Sequence, residues 1–326
     1  MKRRQALLGI AGLGVGLGVA TASIAQRATK IPVIGLLDGG ERTFWWAAFR
    51  KQMRDLGYAE GKNITLEARY AKGKLQDLAA LAQDLVRRDA SVIVTAATIA
   101  TQAAKTATDR IPIVTATGSD HVSMGFAKSL ARPGGNVTGM ASISSDLTIK
   151  RLELLREMLP GISRLAVLWQ MDNSGSITAM RDLERATQSA RVTLQNIGIR
   201  KREDIPGAFS AAARERVQAV FVIGGPLTTD ERRQIAELGL KHKMPIMATG
   251  AEYPDVGVLV SYGADYYELF RRAAIYVDKI LKGAKPGDLP IEQASKFEMV
   301  INRKSAKSLG IAIPQAVLVR ADRVID

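Results

Sequence analysis

Residues able to do chemistry are few in this chain, and their spacing narrows the choices at once. His121 and His242 are the only histidines, there is no cysteine, and no acidic or histidine partner sits at a motif spacing from either imidazole. Thiol nucleophiles, thiolate metal sites and disulfides are therefore absent. No Gly-x-Ser-x-Gly elbow, phosphate-loop lysine or His-Glu-x-x-His is present either. The expectation is no enzyme, no catalytic residue, no metal and no cofactor. What remains is a set of short loops rich in small and polar residues, each following an apolar run. They are Asp38–Phe44, holding Gly39, Gly40, Glu41 and Phe44; Ala96–Ile99, holding Thr98; and Thr117–His121, holding Ser119 and Asp120. Further along come Gln170–Gly175 with Asp172 and Asn173, Gly224–Thr229 with Gly225 and Pro226, and Gly250–Tyr253 with Glu252 and Tyr253. Loops of this kind that open helices offer free N–H groups and a positive dipole end, which suits carboxylate or phosphate groups. Thr228-Thr229-Asp230-Glu231 reads as a capping box fixing one helix start. Trp45, Trp46 and Trp169 stand near these loops, placed either to stack on a planar ligand or to plug a core.

The elements that must position these loops follow from periodicity. Val33–Leu37, Ile64–Ala68, Ser91–Thr95 and Ile111–Thr115 are short apolar runs, separated by helical spacing over 43–56, 75–86 and 99–108. The plan then recurs: Leu165–Trp169 is a strand, 176–191 a helix, and Ala219–Ile223 another strand. Arg110-Ile-Pro-Ile-Val-Thr-Ala-Thr-Gly118 is echoed by Lys243-Met-Pro-Ile-Met-Ala-Thr-Gly250, about 130 residues later, the size of a small α/β domain. Alternating strands and helices predict an α/β fold of two similar doubly wound parallel-sheet lobes. In such sheets ligands bind beyond the carboxyl ends of the strands, where the loops above all fall.

Composition agrees. A hydrophobic fraction of 47% with only 5% aromatics implies cores built from Ala, Val, Ile and Leu. The net charge is +14, of which Lys2, Arg3 and Arg4 belong to the first 25 residues. The remaining basic residues are scattered along helices without interleaved aromatics or a recognition motif, so the charge reads as a solvated surface and no nucleic acid is expected. Residues 1–25 have a basic start, an apolar stretch from Ala6 to Ala20 containing five glycines, and Ser23-Ile24-Ala25 before Gln26. That is the layout of a secretory signal peptide, through the general or the twin-arginine route, and it implies a periplasmic protein.

Several long segments resemble bacterial ABC-transporter substrate-binding proteins of the type 1 periplasmic-binding fold, the group that includes aromatic amino-acid binders. They are Ala48-Phe-Arg with Leu56-Gly-Tyr-Ala-Glu-Gly61, Ser129-Leu-Ala-Arg-Pro-Gly-Gly-Asn-Val-Thr-Gly139 and Lys150-Arg-Leu-Glu-Leu-Leu155. Ser261-Tyr-Gly263, Arg271 through Gly283, and Lys296-Phe-Glu-Met-Val-Ile-Asn302 complete the match. The resemblance implies lobes joined by a three-segment hinge, crossing near Ser142–Asp146, Gly263–Ala264 and Leu289–Ile291. One lobe would be 31–142 with 264–288, the other 146–262 with 291–326. It also implies cleft loops at Thr98, after the third strand, and Asp120, after the fourth. Ser142, at the first crossing, is a further expected contact, and we expect Asp120 to pair with any cationic group of the ligand and Thr98 and Ser119 to donate to an anionic one. The partners it implies are a small-molecule ligand and a membrane permease, for a monomeric protein. The family's Gly-Asp-Pro-Val, Asn-Pro and Asp-Pro-Phe loops are replaced here by Ser119-Asp-His-Val122, Gln170-Met-Asp-Asn173 and Gly224-Gly-Pro-Leu227. Departures thus gather in the loops that would select ligand. A sensor reporting to a membrane receptor, or an exported α/β enzyme, are the alternative functions.

Overall fold

The computed structural model describes residues 31–118, 121–142 and 145–326, with the backbone alone at Ser145 and Asp146. The signal segment 1–25, Ser119 and Asp120 lie outside the described residues. From Ile31 the chain alternates strands and helices: β1 (Val33–Asp38), α1 (Thr43–Asp55), β2 (Thr65–Tyr70), α2 (Leu78–Arg87), β3 (Val92–Ala96), α3 (Thr98–Ala107), β4 (Ile113–Thr117) and β5 (Val137–Ala141). The plan restarts with α4 (Ser145–Met158), β6 (Arg164–Gln170), α5 (Ser174–Ala190), β7 (Thr193–Ile199), α6 (Asp204–Arg214), β8 (Ala219–Val222), α7 (Pro226–Asp230), α8 (Arg232–Lys241) and β9 (Ile246–Ala248). The remainder is β10 (Val260–Ala264), α9 (Tyr266–Leu281), β11 (Glu292–Gln293), β12 (Phe297–Asn302), α10 (Arg303–Leu309), α11 (Gln315–Leu318) and β13 (Arg323–Ile325).

The strands form two sheets, ordered β11-β5-β4-β3-β1-β2 and β13-β12-β10-β9-β8-β6-β7. Ignoring the added edge strands, both have the doubly wound order 2-1-3-4-5, so the internal sequence echo is an architectural repeat. The two matching Pro-Ile segments become β4 and β9, each the fourth strand of its sheet. Every pairing is parallel except β10 with β12. A parallel sheet must be covered on both faces, and period-two side chains do this. Ile34, Leu36, Val92, Val94 and Val114 face α1 and α9, while Leu37, Ile93 and Ile113 face α2 and α3. In the second sheet Leu165 and Val167 face α4 and α5, and Ala166 and Leu168 face α6 and α8.

Three passages join the sheets. The chain leaves the first after β5 and begins the second in α4; β10 belongs to the second sheet, but α9 packs on the first. The third passage differs from the expected Leu289–Ile291. Glu292 and Gln293 pair with Met140 and Ala141 of β5, and Ala294 N–H donates to Ala141 O at 2.8 Å. The return to β12 therefore runs through 294–296. The bond from Arg272 to Glu292 and that from the Tyr276 hydroxyl to Pro290 O, at 2.6 Å, hold this edge to α9. At the second passage Gly263 admits no side chain, because a Cβ there would lie 1.7 Å from Thr249 O.

Candidate functional site

Both sheets present their carboxyl ends to one cavity of about 120 Å³. The switch points of the strand order, between β1 and β3 and between β6 and β8, both open into it. From the first sheet come Arg42 and Trp45 after β1, Ala97 and Thr98 after β3, and Thr117 and Gly118 at the end of β4. The second sheet contributes Asn173 and Gly175 after β6, Ile223, Gly224 and Gly225 after β8, Thr229 in α7 and Thr249 after β9. The passages between sheets add Ser142, Thr148, Arg151 and Tyr266.

Asp38 ends β1 fully buried and organises the loop after it. Its carboxylate accepts from Gly40 N–H at 2.9 Å, from Trp46 Nε1 at 2.9 Å and from Arg42, whose Nε donates at 3.1 Å. Burial alone would pull the Arg42 guanidinium down, but the charge and hydrogen bond of Asp38, together with Asp230 and Tyr266, leave the group above its ordinary value. Arg42 also lies over the Trp45 ring, 5.2 Å from its centroid. Trp45 in turn packs on Tyr266, with centroids 4.6 Å apart. This gives the cavity one aromatic wall.

Arg151 has the opposite setting. It projects from α4 and is only 5% exposed, and its one hydrogen bond among the described residues runs from Nε to Tyr262 O at 2.5 Å. Burial lowers its pKa to about 10, with only Tyr266 and Tyr262 acting against that. Across the cavity Asn173 uses its amide nitrogen on Ser176 Oγ at 2.8 Å. Its Oδ1 and the Trp45 Nε1 are buried without a partner. Ala97 N–H donates to both Thr117 O and Thr117 Oγ1 at 3.0 Å. This bond holds Ala97 at φ +75°, a region that costs a side-chain-bearing residue about 1–3 kcal/mol.

Beyond the cavity the two sheets' loops touch directly. Glu41 N–H donates to Asp230 Oδ2 at 2.9 Å, and the Arg232 guanidinium lies 4.4 Å from the Phe44 ring centroid. A Cβ on Gly39 would lie 2.9 Å from Pro226 Cγ, and one on Gly40 would lie 2.6 Å from Asp230 Oδ2. Burial pushes the Asp230 carboxyl up to about 6, with Arg42 opposing it. These contacts bridge the loops of the two sheets at the mouth of the cavity.

Of the residues singled out from sequence, Thr98, Ser142, Asn173 and Gly225 line the cavity. Gly39, Gly40, Glu41, Phe44 and Pro226 do not; they form the contact between loops at its mouth. Asp172 is half-buried outside the lining, with Oδ1 unpaired. Tyr253 is wholly buried in the core beneath α8, its hydroxyl 3.3 Å from Thr229 Oγ1. Glu252 is folded over Gly250, where a Cβ would meet its Oε1 at 2.2 Å, and burial pushes it up to about 7. Ser119 and Asp120 lie outside the described residues. The capping box is not formed. Helix α7 starts at Pro226, Leu227 N–H donates to Gln170 Oε1 at 3.0 Å, and Thr228 is buried with its hydroxyl on Ile223 O. Arg42 and Arg151 were not anticipated: the first sits in a loop named for its glycines, the second in a helix read only as a family landmark. Of the tryptophans, Trp45 lines the cavity, Trp46 plugs the core, and Trp169 bonds Asn196 Oδ1 at 2.7 Å.

Two switch-point clefts closing on one cavity, with three passages between them, define a two-lobed binding fold. The chain belongs to the ABC transporter substrate binding protein family, whose family model matches residues 30–325. It is 27% identical over 262 residues to the tyrosine-binding protein of Clostridioides difficile, covering 80% of this chain and 75% of that one. Among solved structures, a conserved domain protein from Vibrio cholerae is 28% identical with a TM-score of 0.84, covering 90% of this chain and all of the other. An ABC domain from Streptococcus pneumonia in complex with L-Trp is 24% identical with a TM-score of 0.82, covering 90% and 99%. The neighbouring folds are type 1 periplasmic-binding proteins, and the fold class expected from sequence is the one observed. The relatives are substrate-binding proteins and not enzymes.

Proposed function

We propose that this protein is the extracytoplasmic solute-binding component of an ABC importer, capturing a small polar ligand between two closing lobes. The observation that carries this reading is a cavity lined from the carboxyl edges of both sheets and from the passages between them. A ligand there touches both lobes only when they close, so its binding energy favours the closed form. We divide the lobes as 31–142 with 264–293 and 146–262 with 297–326. The protein acts as a monomer, and a membrane permease reads the closed form. Export fits the signal-like segment at residues 1–25, and no helix among the described residues is long and apolar enough to cross a membrane.

A thermal-shift screen against amino acids, aromatic acids, nucleosides, sugars and organic acids tests the reading. A ligand that binds only the folded form raises stability by about 2.7 kcal/mol at a hundred times its dissociation constant. A hit recovered chemically unchanged supports a binding protein. Conversion of the hit to product would sink the reading in favour of an exported enzyme.

A further inference from the structure

With no cysteine in the chain, the methionine thioethers are its oxidisable sulfur, and burial divides them sharply. Of the nine methionines among the described residues, seven are at most 4% exposed, whereas Met124 is 39% and Met171 37% exposed. Both exposed thioethers follow strands at the carboxyl edges, Met124 beyond β4 and Met171 directly after β6. Met171 is built into its surroundings. Its N–H donates to Ile199 O at 2.9 Å, and its side chain lies over Gly198, where a Cβ would stand 2.6 Å from Cγ and 2.8 Å from Sδ. The same Cβ would lie 3.2 Å from Trp169 Nε1, so the sulfur and the indole nitrogen face one spot. That indole donates to Asn196 Oδ1 at 2.7 Å, which also accepts from Gly198 N–H at 3.1 Å. Strand β7 is an edge of its sheet, so side chains, and not a further strand, cover its last residues. Two positions beyond Met171, Asn173 lines the cavity; one position before it, Gln170 accepts the Leu227 N–H at 3.0 Å.

We infer that Met171 is an oxidation site whose state sets the order of the Gln170–Asn173 loop: a peroxide converts the thioether to the sulfoxide, and the loop that carries Asn173 to the cavity loosens. In that step a sulfur lone pair attacks one peroxide oxygen, the S–O bond forms as the O–O bond breaks, and the other oxygen leaves as water. Sulfur loses two electrons and the peroxide gains them. The product is larger by one oxygen and strongly polar, so it gives up its place over Gly198 for water. The Met171 N–H bond to Ile199 O and the Trp169 bond to Asn196 then lose their cover. Hydrogen bonds open to water break and re-form more readily, so the loop exchanges faster.

The test is mild hydrogen peroxide treatment of the full chain, followed by peptide mass mapping and by amide hydrogen exchange over residues 170–176. Met171 and Met124 are expected to oxidise about ten times faster than the buried methionines, or more. Exchange over 170–176 should rise about tenfold, in step with the fraction of Met171 converted. Met171→Leu keeps the bulk without the reactive sulfur, so peroxide should leave its loop unchanged, whereas Met124→Leu should still show the rise. Met171→Gln, polar at a similar length, should show it without peroxide. The unmodified protein before and after treatment carries the comparison even where a variant fails to fold. Oxidation of Met171 no faster than that of the buried methionines overturns the inference, and so does an unchanged loop after full conversion. A rise that persists in Met171→Leu assigns the effect to another residue and overturns it as well.

Discussion

Glu252 shows how a residue next to a cleft can influence stability without lining it. Burial raises its carboxyl to about 7, against 4.5 for an ordinary glutamate. An acid whose folded pKa is raised holds its proton longer in the folded chain. Its contribution to stability is thus fully present below about 4.5 and is lost as pH rises through about 7. Glu252→Gln should raise the melting temperature at pH 8, with an effect of roughly 1–3 kcal/mol, and flatten its dependence between pH 8 and 5. Scanning calorimetry across that range decides it, and an unchanged pH profile would refute the assignment. At Ala97, φ is +75°, which glycine adopts freely. Ala97→Gly should raise stability by about 1 kcal/mol in denaturant titration, the relieved strain exceeding the added chain entropy. Neither effect was visible in sequence. Glu252 and Tyr253 read as cleft residues because they follow a strand, but Tyr253 turns inward beneath α8 and Glu252 is buried over Gly250.

At the scale of elements, the passages between sheets are set by close backbone approach. Gly263 in β10 lies so near Thr249 O that a Cβ would stand 1.7 Å from it, and 3.4 Å from Arg151 Nη2. Gly263→Ala should destabilise the protein by about 1–3 kcal/mol through forced backbone shifts, seen as a melting temperature several degrees lower. Strand ends are legible because β-branched and aliphatic runs stop at small polar residues. Helix starts were harder to place. Thr228-x-x-Glu231 matches the capping pattern, but Pro226 opens α7 with its preset φ, and Gln170 captures the Leu227 N–H. The third passage was misplaced because Glu292–Gln293, polar and only two residues long, carries no strand signal. Its pairing is fixed by β5 and by the Arg272 and Tyr276 side chains of α9.

At the scale of the molecule, closure is held by contacts that do not involve ligand. Asp230 with Glu41 N–H and Arg232 with Phe44 span the mouth. Arg232→Ala removes a cation–π contact of about 0.5–2 kcal/mol from the closed form alone. Ligand affinity should fall by up to about 30-fold, and the melting temperature of the ligand-free protein should fall as well, because the guanidinium also donates to Thr229 O at 3.0 Å within its own lobe. Gly40→Ala acts more strongly, since its Cβ would lie 2.6 Å from the Asp230 carboxylate. It should shift the ligand-free population toward open forms, measured as a larger radius of gyration in solution scattering. Compact scattering from that variant would show that the mouth contacts do not govern closure.

The sequence by itself determined the α/β class, the tandem repeat, the positions of most strands and the loops at their carboxyl ends. These are local properties: period-two and helical spacing, and turn residues where apolar runs stop. Thr98, Ser142, Asn173 and Gly225 were reachable because a parallel sheet sends its loops to one edge, or because a family landmark marked the passage. Only the tertiary structure decided which loop residues face the cavity and which close its mouth. It alone brought Arg151 and Tyr266, 115 positions apart, to the same cavity. It also buried the Arg151 guanidinium there, with its Nε donating to Tyr262 O, 111 positions away. Such contacts depend on distances between segments remote in the chain, and periodicity within a segment carries no record of them.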